Sequence, residues 1–219
     1  MLNPDRKYSL DTTYPEDYEP GPPNPDASLT WLADWYKTDK GTIKHNYTQI
    51  YEKYIKWDIR ALLEIGVACG SSLKMWSKYL PAAEITGLDI RPECAGLCKG
   101  YHNVRIIIDD AVSWNDGQHY DVIIDDGSHV SNDIVMTWAN LWKNVKPGGL
   151  YIIEDLRCTH DKAYAEHFTF PKDKDDFSRV HIIRWLDQLM RKTDYRETDI
   201  DFIHYYREML ILRKRDANQ

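Results

Sequence analysis

Five short apolar runs stop abruptly on glycine or acidic residues: "LLEIG" at 62–66, "EITGLDI" at 84–90, "VRIIIDD" at 104–110, "YDVIIDD" at 120–126 and "LYIIEDL" at 150–156. Amphipathic stretches such as "SSLKMWSKYL" and "NDIVMTWANLWKNV" lie between them. Strands alternating with helices predict an α/β fold with a mostly parallel sheet covered on both faces. The second helix carries one stripe of Ile134, Val135, Trp138, Leu141, Trp142 and Val145, and "KPGG" is expected to stop it. Near the end, "FSRVHIIRWLDQLMRK" reads as a helix. "IDFIHYYREMLILRK" reads as two strands around a tight turn near Arg207. An antiparallel hairpin thus closes an otherwise parallel sheet, seven strands in all.

The flanks differ. Six of the ten prolines lie in residues 1–27, so this stretch reads as a Pro-rich arm, not as helix or central strand. It is either a flexible arm or a contact to a partner subunit anchored by Tyr8, Tyr14 and Tyr18, which makes a homo-oligomer possible. Residues 28–57 read as a helical N-terminal lid. Ser28 is the N-cap candidate, "KTDKGTIKHNY" a polar loop, and Ile50, Tyr54 and Trp57 one helical face. Residues 58–219 form the core domain. The closing "LRKRD" reads as a solvated strand end.

Composition excludes some classes. A net charge of −7 argues against nucleic acid as a partner. No segment approaches the ~20 apolar residues of a membrane span. The first 20 residues lack the apolar region of a secretory signal, and a cytoplasmic location is expected. Cys69, Cys94, Cys98 and Cys158 form no CxxC pair and read as free thiols.

"LLEIGVACGSSLKMW" is a strand, a glycine turn and a helix start. Gly66 and Gly70 allow a tight turn and close approach of a ligand, with Ser71 at the helix start. Asp89 ends the next strand, 25 residues after Glu64, where an acid can bind two ribose hydroxyls. A glycine turn serving packing alone is the competing reading. The dinucleotide pattern GxGxxG is absent, and Ala68 stands where many such turns have glycine. S-adenosylmethionine has no phosphates and tolerates this looser loop; Glu64 suits its cationic methionine end.

"YDVIIDDGSH" and "YIIEDL" place Asp125, Asp126, Glu154 and Asp155 at the ends of strands read as neighbours. Four close carboxylates repel unless protons or a cation intervene, and a hard divalent ion such as Mg²⁺ is the natural remedy. His129, expected at the start of the next helix, offers an imidazole, the side chain suited to act as general base on a hydroxyl near neutral pH. The alternative is that Asp126 and the Glu154–Asp155 pair merely cap helices. Asp110, after the third strand, is an adenine candidate or a turn residue. Thr38, His45 and Tyr47 are possible cofactor contacts or members of a plain polar loop. The other histidines read as surface or packing residues, though His160 could line an acceptor pocket.

On "TDKGTIKHNYTQIYEKY", "LLEIGVACGSSLKMWSKYLPAAEITGLDI", "YDVIIDDGSH" and "GGLYIIEDL", the chain resembles class I S-adenosylmethionine-dependent methyltransferases with a Rossmann-like fold. More narrowly, it resembles the macrocin and mycinamicin sugar O-methyltransferases. The resemblance implies magnesium held by Asp126, Glu154 and Asp155, His129 as base and a small-molecule hydroxyl acceptor, a sugar; Asp125 is expected to face the methionine amino group or the loop backbone. That family usually has glutamine where this chain has Ala111. A phenol or catechol acceptor, or a non-catalytic S-adenosylmethionine-binding module, is the alternative. Catechol enzymes usually carry a lysine beside this acidic site, where DDGSH offers histidine.

Overall fold

In the computed structural model, residues 27–160 and 174–217 are described. Tyr8, Tyr14, Tyr18 and His167 lie outside them. The helices are α1 (Leu29–Trp35), α2 (Thr48–Tyr54), α3 (Ser71–Tyr79), α4 (Ser131–Leu141) and α5 (Val180–Asp194). The strands are β1 (Ala61–Ile65), β2 (Glu84–Asp89), β3 (Val104–Ile108), β4 (Tyr120–Asp125), β5 (Val145–Ile153), β6 (Ile200–Tyr206) and β7 (Met209–Lys214). They form one seven-stranded sheet in the order β3-β2-β1-β4-β5-β7-β6. The pairs from β3 to β5 are parallel, while β7 runs antiparallel to both β5 and β6.

Strand periodicity divides the core. Leu62, Val122, Ile124, Ile152 and Ile211 face one side, packed with Leu29, Tyr51, Ile55, Leu73 and Trp76. Leu63, Ile123, Tyr151, Ile153 and Leu212 face the other, packed with Ile134, Leu141, Ile182, Trp185 and Leu189. Successive side chains of a strand point to opposite faces, so continuous apolar runs require cover on both. The helices α1, α2 and α3 supply the first cover, α4 and α5 the second.

Several sequence expectations shift in detail. Ser28 does cap α1, its hydroxyl accepting from Trp31 N at 3.2 Å. The buried face around α2 is Tyr47, Tyr51 and Ile55, four residues apart, not Ile50, Tyr54 and Trp57; Trp57 is 79 % exposed beyond the helix end. "KPGG" does not stop α4. The helix ends at Leu141, a 3₁₀ turn spans Trp142–Asn144, and β5 begins at Val145. Tyr120 pairs with Val145 but Val122 with Leu150, so Lys146–Gly149 bulge out of register, which tolerates Pro147 and the positive φ of Gly148.

The registers set Ile65 opposite Asp125, and Asp125 opposite Ile153. The carboxyl ends of β1, β4 and β5 therefore finish level. Strand order reverses between β1 and β4, the switch point where open α/β sheets bind ligands. Gly66 sits there with φ +90°, and a Cβ on it would lie 2.0 Å from the Asp126 carbonyl oxygen. Gly66→Ala is expected to cost at least about 2 kcal/mol in urea unfolding, since both backbone angle and space forbid a methyl group.

Candidate active site

Past the ends of β4 and β5, the chain turns sharply. His129 (φ +55°) and Asp155 (φ +53°) both occupy the left-handed region, which non-glycine residues enter only when their surroundings hold them. His129 lies two residues ahead of α4, not on it as expected. Its Nε2 is 3.8 Å from Asp126 Oδ1 and 4.0 Å from Asp155 Oδ2. These three residues offer two carboxylate oxygens and an imidazole nitrogen within 4.8 Å of one another. Neither Asp126 nor Asp155 caps a helix through its side chain. The α4 N-cap, Val130, makes no such bond, and Asp155 accepts from the Tyr47 hydroxyl at 2.6 Å.

The structure divides the four expected acids. Glu154 turns away from His129: Oε2 accepts from Lys40 Nζ at 2.8 Å, and Oε1 accepts from the Tyr51 hydroxyl. Both its oxygens are engaged; among the described residues the groups whose ligand atoms lie within 4.8 Å of one another are Asp126, His129 and Asp155, and His45, Asp155 and Glu208. Asp125 is buried, accepting from Tyr151 Oη at 3.2 Å and from Gly127 N at 3.4 Å. Burial pushes its pKa up to about 6, against the pull of His129.

Sequence reasoning missed Lys40. Its Nζ donates to Asp126 Oδ2 at 2.6 Å and to Glu154 Oε2 at 2.8 Å, and lies 3.5 Å from Glu64 Oε1. The side chain is 1 % exposed. Burial alone lowers a lysine pKa, but Asp126, Glu154, Glu64 and Asp39 outweigh it and hold this ammonium charged. Burial raises Glu64 to about 7, with Lys40 working the other way, and raises Glu154 and Asp126 likewise. Asp155 differs. Burial pushes it up, but His129, His45 and the Tyr47 bond outweigh burial and keep it ionised.

The remaining candidates spread around this centre. His45 stacks on Tyr47 and bridges Asp155 Oδ1 (3.7 Å) and Glu208 Oε2 (3.6 Å). Its Nε2 is a buried atom with no hydrogen-bond partner among the described residues. Glu208, in the β6–β7 turn, was not anticipated. Thr38 is buried in the same loop. Ser72 Oγ donates to Glu64 Oε2 at 2.7 Å, tying the start of α3 to β1. Gly70 is the left-handed N-cap of α3, and Ala68, in the glycine-like position, also has positive φ, +49°. Ser71, first in the helix, lies 3.3 Å from Cys69 Sγ. Asp89 accepts from Val67 N at 2.8 Å inside that turn. Asp110 closes a turn by accepting from Val112 N at 3.0 Å, the turn role weighed against adenine contact. All four cysteines are free. No helix among the described residues is long and apolar enough to cross a membrane.

A seven-stranded sheet with an antiparallel C-terminal strand pair, and acids at the switch point, defines the class I methyltransferase fold. No family model matches the chain. It is similar to sugar O-methyltransferases. One is the 8-demethyl-8-alpha-L-rhamnosyl tetracenomycin-C 2'-O-methyltransferase of Streptomyces olivaceus, 29 % identical over 85 % of this chain and 54 % of that protein. Another is the mycinamicin VI 2''-O-methyltransferase of Micromonospora griseorubida, 33 % identical over 58 % of this chain and 36 % of that protein. The chain thus spans about half the length, or less, of these curated relatives. Among solved structures, the MycE methyltransferase of the mycinamycin biosynthetic pathway, in complex with Mg and SAH, superposes with a TM-score of 0.68 at 24 % identity. It covers 88 % of this chain and 56 % of that one. The complex of MycE with Mg, SAH and mycinamycin VI gives 0.67 at 25 % identity, over 88 % and 55 %.

Proposed function

We propose that this chain carries an S-adenosylmethionine- and Mg²⁺-dependent O-methyltransferase activity toward a hydroxyl of a sugar-bearing small molecule. The observation that carries the reading is the convergence of Asp126, Asp155 and His129 at the carboxyl ends of β4 and β5, beside the glycine turn after β1. Relatives named as sugar O-methyltransferases support the acceptor class, and a neighbour solved with Mg and SAH supports the two cofactors.

The residues fit both groups. Asp126 Oδ1 and Asp155 Oδ2, the two oxygens facing His129, are hard donors of the kind Mg²⁺ takes. Asp125 and Glu64 would face the methionine end of the donor, Asp89 its ribose, and Gly66 and Gly70 would allow its close approach. Residues 28–57, which bring Thr38, Lys40, His45 and Tyr47, form the proposed cover of this end of the sheet. When bound, the cation would lower the pKa of a neighbouring hydroxyl, and the sulfonium donor would supply the methyl electrophile.

The chain's own part is proton transfer and positioning. His129 Nε2 takes the acceptor hydroxyl proton, and Asp126 and Asp155 stabilise the imidazolium that results. Tyr47 holds Asp155 in place. Lys40 keeps Glu154, Glu64 and Asp126 folded together but is too buried to serve as a base itself. DDGSH offers histidine beside the acids, and Lys40 reaches them as well, from a distant segment. A lysine there favours the phenol or catechol acceptor as the second reading; its burial favours His129 and a sugar. The cytoplasm, consistent with the four free thiols, is the proposed location.

The test is transfer of labelled methyl from S-adenosylmethionine to paired acceptors, rhamnosyl-bearing glycosides and simple catechols, before and after chelation. Transfer to the glycosides, lost with chelator and restored by Mg²⁺, is the expected result. Transfer to catechol alone would exchange the first acceptor class for the second. Binding of the donor with no transfer to either, Mg²⁺ present, would reduce the chain to a binding module.

A further inference from the structure

Asp89 is the acid on which the ribose of the donor is proposed to rest, yet its carboxylate is already filled. Oδ1 accepts from Arg91 N at 2.9 Å and from Arg91 Nε at 3.0 Å. Oδ2 accepts from Arg91 Nη2 at 2.8 Å and from Val67 N at 2.8 Å, with Ala68 N at 3.3 Å. An ionised carboxylate has about four lone-pair sites, so no acceptor capacity is left for two hydroxyl donors.

The donors differ in what they can give up. Val67 and Ala68 N–H belong to the glycine turn, and the Arg91 N–H precedes Pro92 at the start of a 3₁₀ turn. These are backbone. The guanidinium is a side chain with 35 % exposure, whereas Asp89 is 5 % exposed. Only the guanidinium can move into water without unfolding the turn. Its departure removes Nε from Oδ1 and Nη2 from Oδ2, leaving three backbone donors on the roughly four sites: Arg91 N on Oδ1, and Val67 N and the longer Ala68 N on Oδ2. One ribose hydroxyl then has an open site on Oδ1, and the second displaces only the 3.3 Å contact from Ala68 N.

We infer that the Arg91 guanidinium is a resident occupant of the ribose position, displaced whenever the methyl donor binds, and that Arg91 thereby sets donor affinity and makes it rise with salt. The inference rests on the proposed ribose role of Asp89. The fork is a charge-assisted, bidentate pair, the geometry in which arginine is hardest to replace by another residue. It holds Asp89 down to about 2, against the upward push of burial. The pair is also partly in solvent, so salt screens it.

Calorimetric titration with S-adenosylhomocysteine tests this in wild type, Arg91→Ala, Arg91→Gln and Asp89→Ala. Both Arg91 variants are expected to bind about 3- to 5-fold more tightly than wild type, the range a partly exposed ion pair is worth. Raising salt from about 0.05 to 0.5 M should tighten wild type and leave both variants flat, a response that a merely structural arginine would not give. Equal or weaker binding by both Arg91 variants, with Asp89→Ala still crippled, overturns the inference alone. Wild-type affinity in Asp89→Ala overturns the ribose reading beneath it.

Discussion

Lys40→Ala is expected to lose about 3–5 kcal/mol of stability in urea unfolding at neutral pH, the penalty for stranding buried charge. Three carboxylates, Asp126, Glu154 and Glu64, share this ammonium, and Glu154 and Glu64 are at most 2 % exposed. Removing the cation leaves them facing one another, with Tyr51 donating to Glu154 and Ser72 to Glu64. The pH dependence follows from the direction of their shifts. Glu64 has its folded pKa raised to about 7, above the ~4.3 of an unfolded glutamate. A group raised on folding contributes stability that is fully present below its unfolded value and lost as pH rises through its folded value. The variant therefore suffers most at pH 7–8, and the deficit should shrink toward pH 5, where the acids take up protons. A deficit that is small, or constant across that range, would mean the cluster is not held by Lys40.

His129→Ala is expected to cut methyl transfer by roughly 10²–10⁴-fold, the usual worth of a positioned general base. Affinity for S-adenosylhomocysteine should stay within about twofold, because His129 faces Asp126 and Asp155 rather than the glycine turn. Asp89→Ala should show the opposite split, with donor affinity falling first. Single-turnover rates at saturating donor separate the two. Equal losses in both variants would dissolve the division between a proton-transfer centre and a ribose site.

The parts of this arrangement that are legible in sequence are those written in local periodicity. Apolar runs ending in "DD", "DDG" and "ED" place acids at strand ends, and parallel registers then bring those ends level. Gly66 and Gly70 declare themselves because only a positive φ fits that turn. Lys40 is different. Its partners are 24, 86 and 114 residues away, and nothing in "TDKG" says that the chain will thread this ammonium under the sheet end. The available signal was a lysine in a stretch matched to a known family, with three buried acids elsewhere in need of a cation. Glu208 lies beyond local reading for the same reason: the antiparallel return of β7 sets its turn beside His45. The "KPGG" misreading has a simple origin. Glycine and proline mark both a helix stop and a bulge, and only the pairing of Tyr120 with Val145 distinguishes them.

Glu154 carries the remaining lesson. Consecutive residues leaving a strand point to opposite faces, so the two acids of "ED" meet different partners in this structure. One acid meets Lys40 and Tyr51, the other meets His129 and Tyr47.

The most direct measurement is Mn²⁺ titration of chelator-treated protein, followed by electron paramagnetic resonance. One bound ion per chain is expected in wild type, lost in Asp126→Asn and in Asp155→Asn. No bound ion in wild type, or undiminished binding in both variants, would contradict a divalent centre at the ends of β4 and β5.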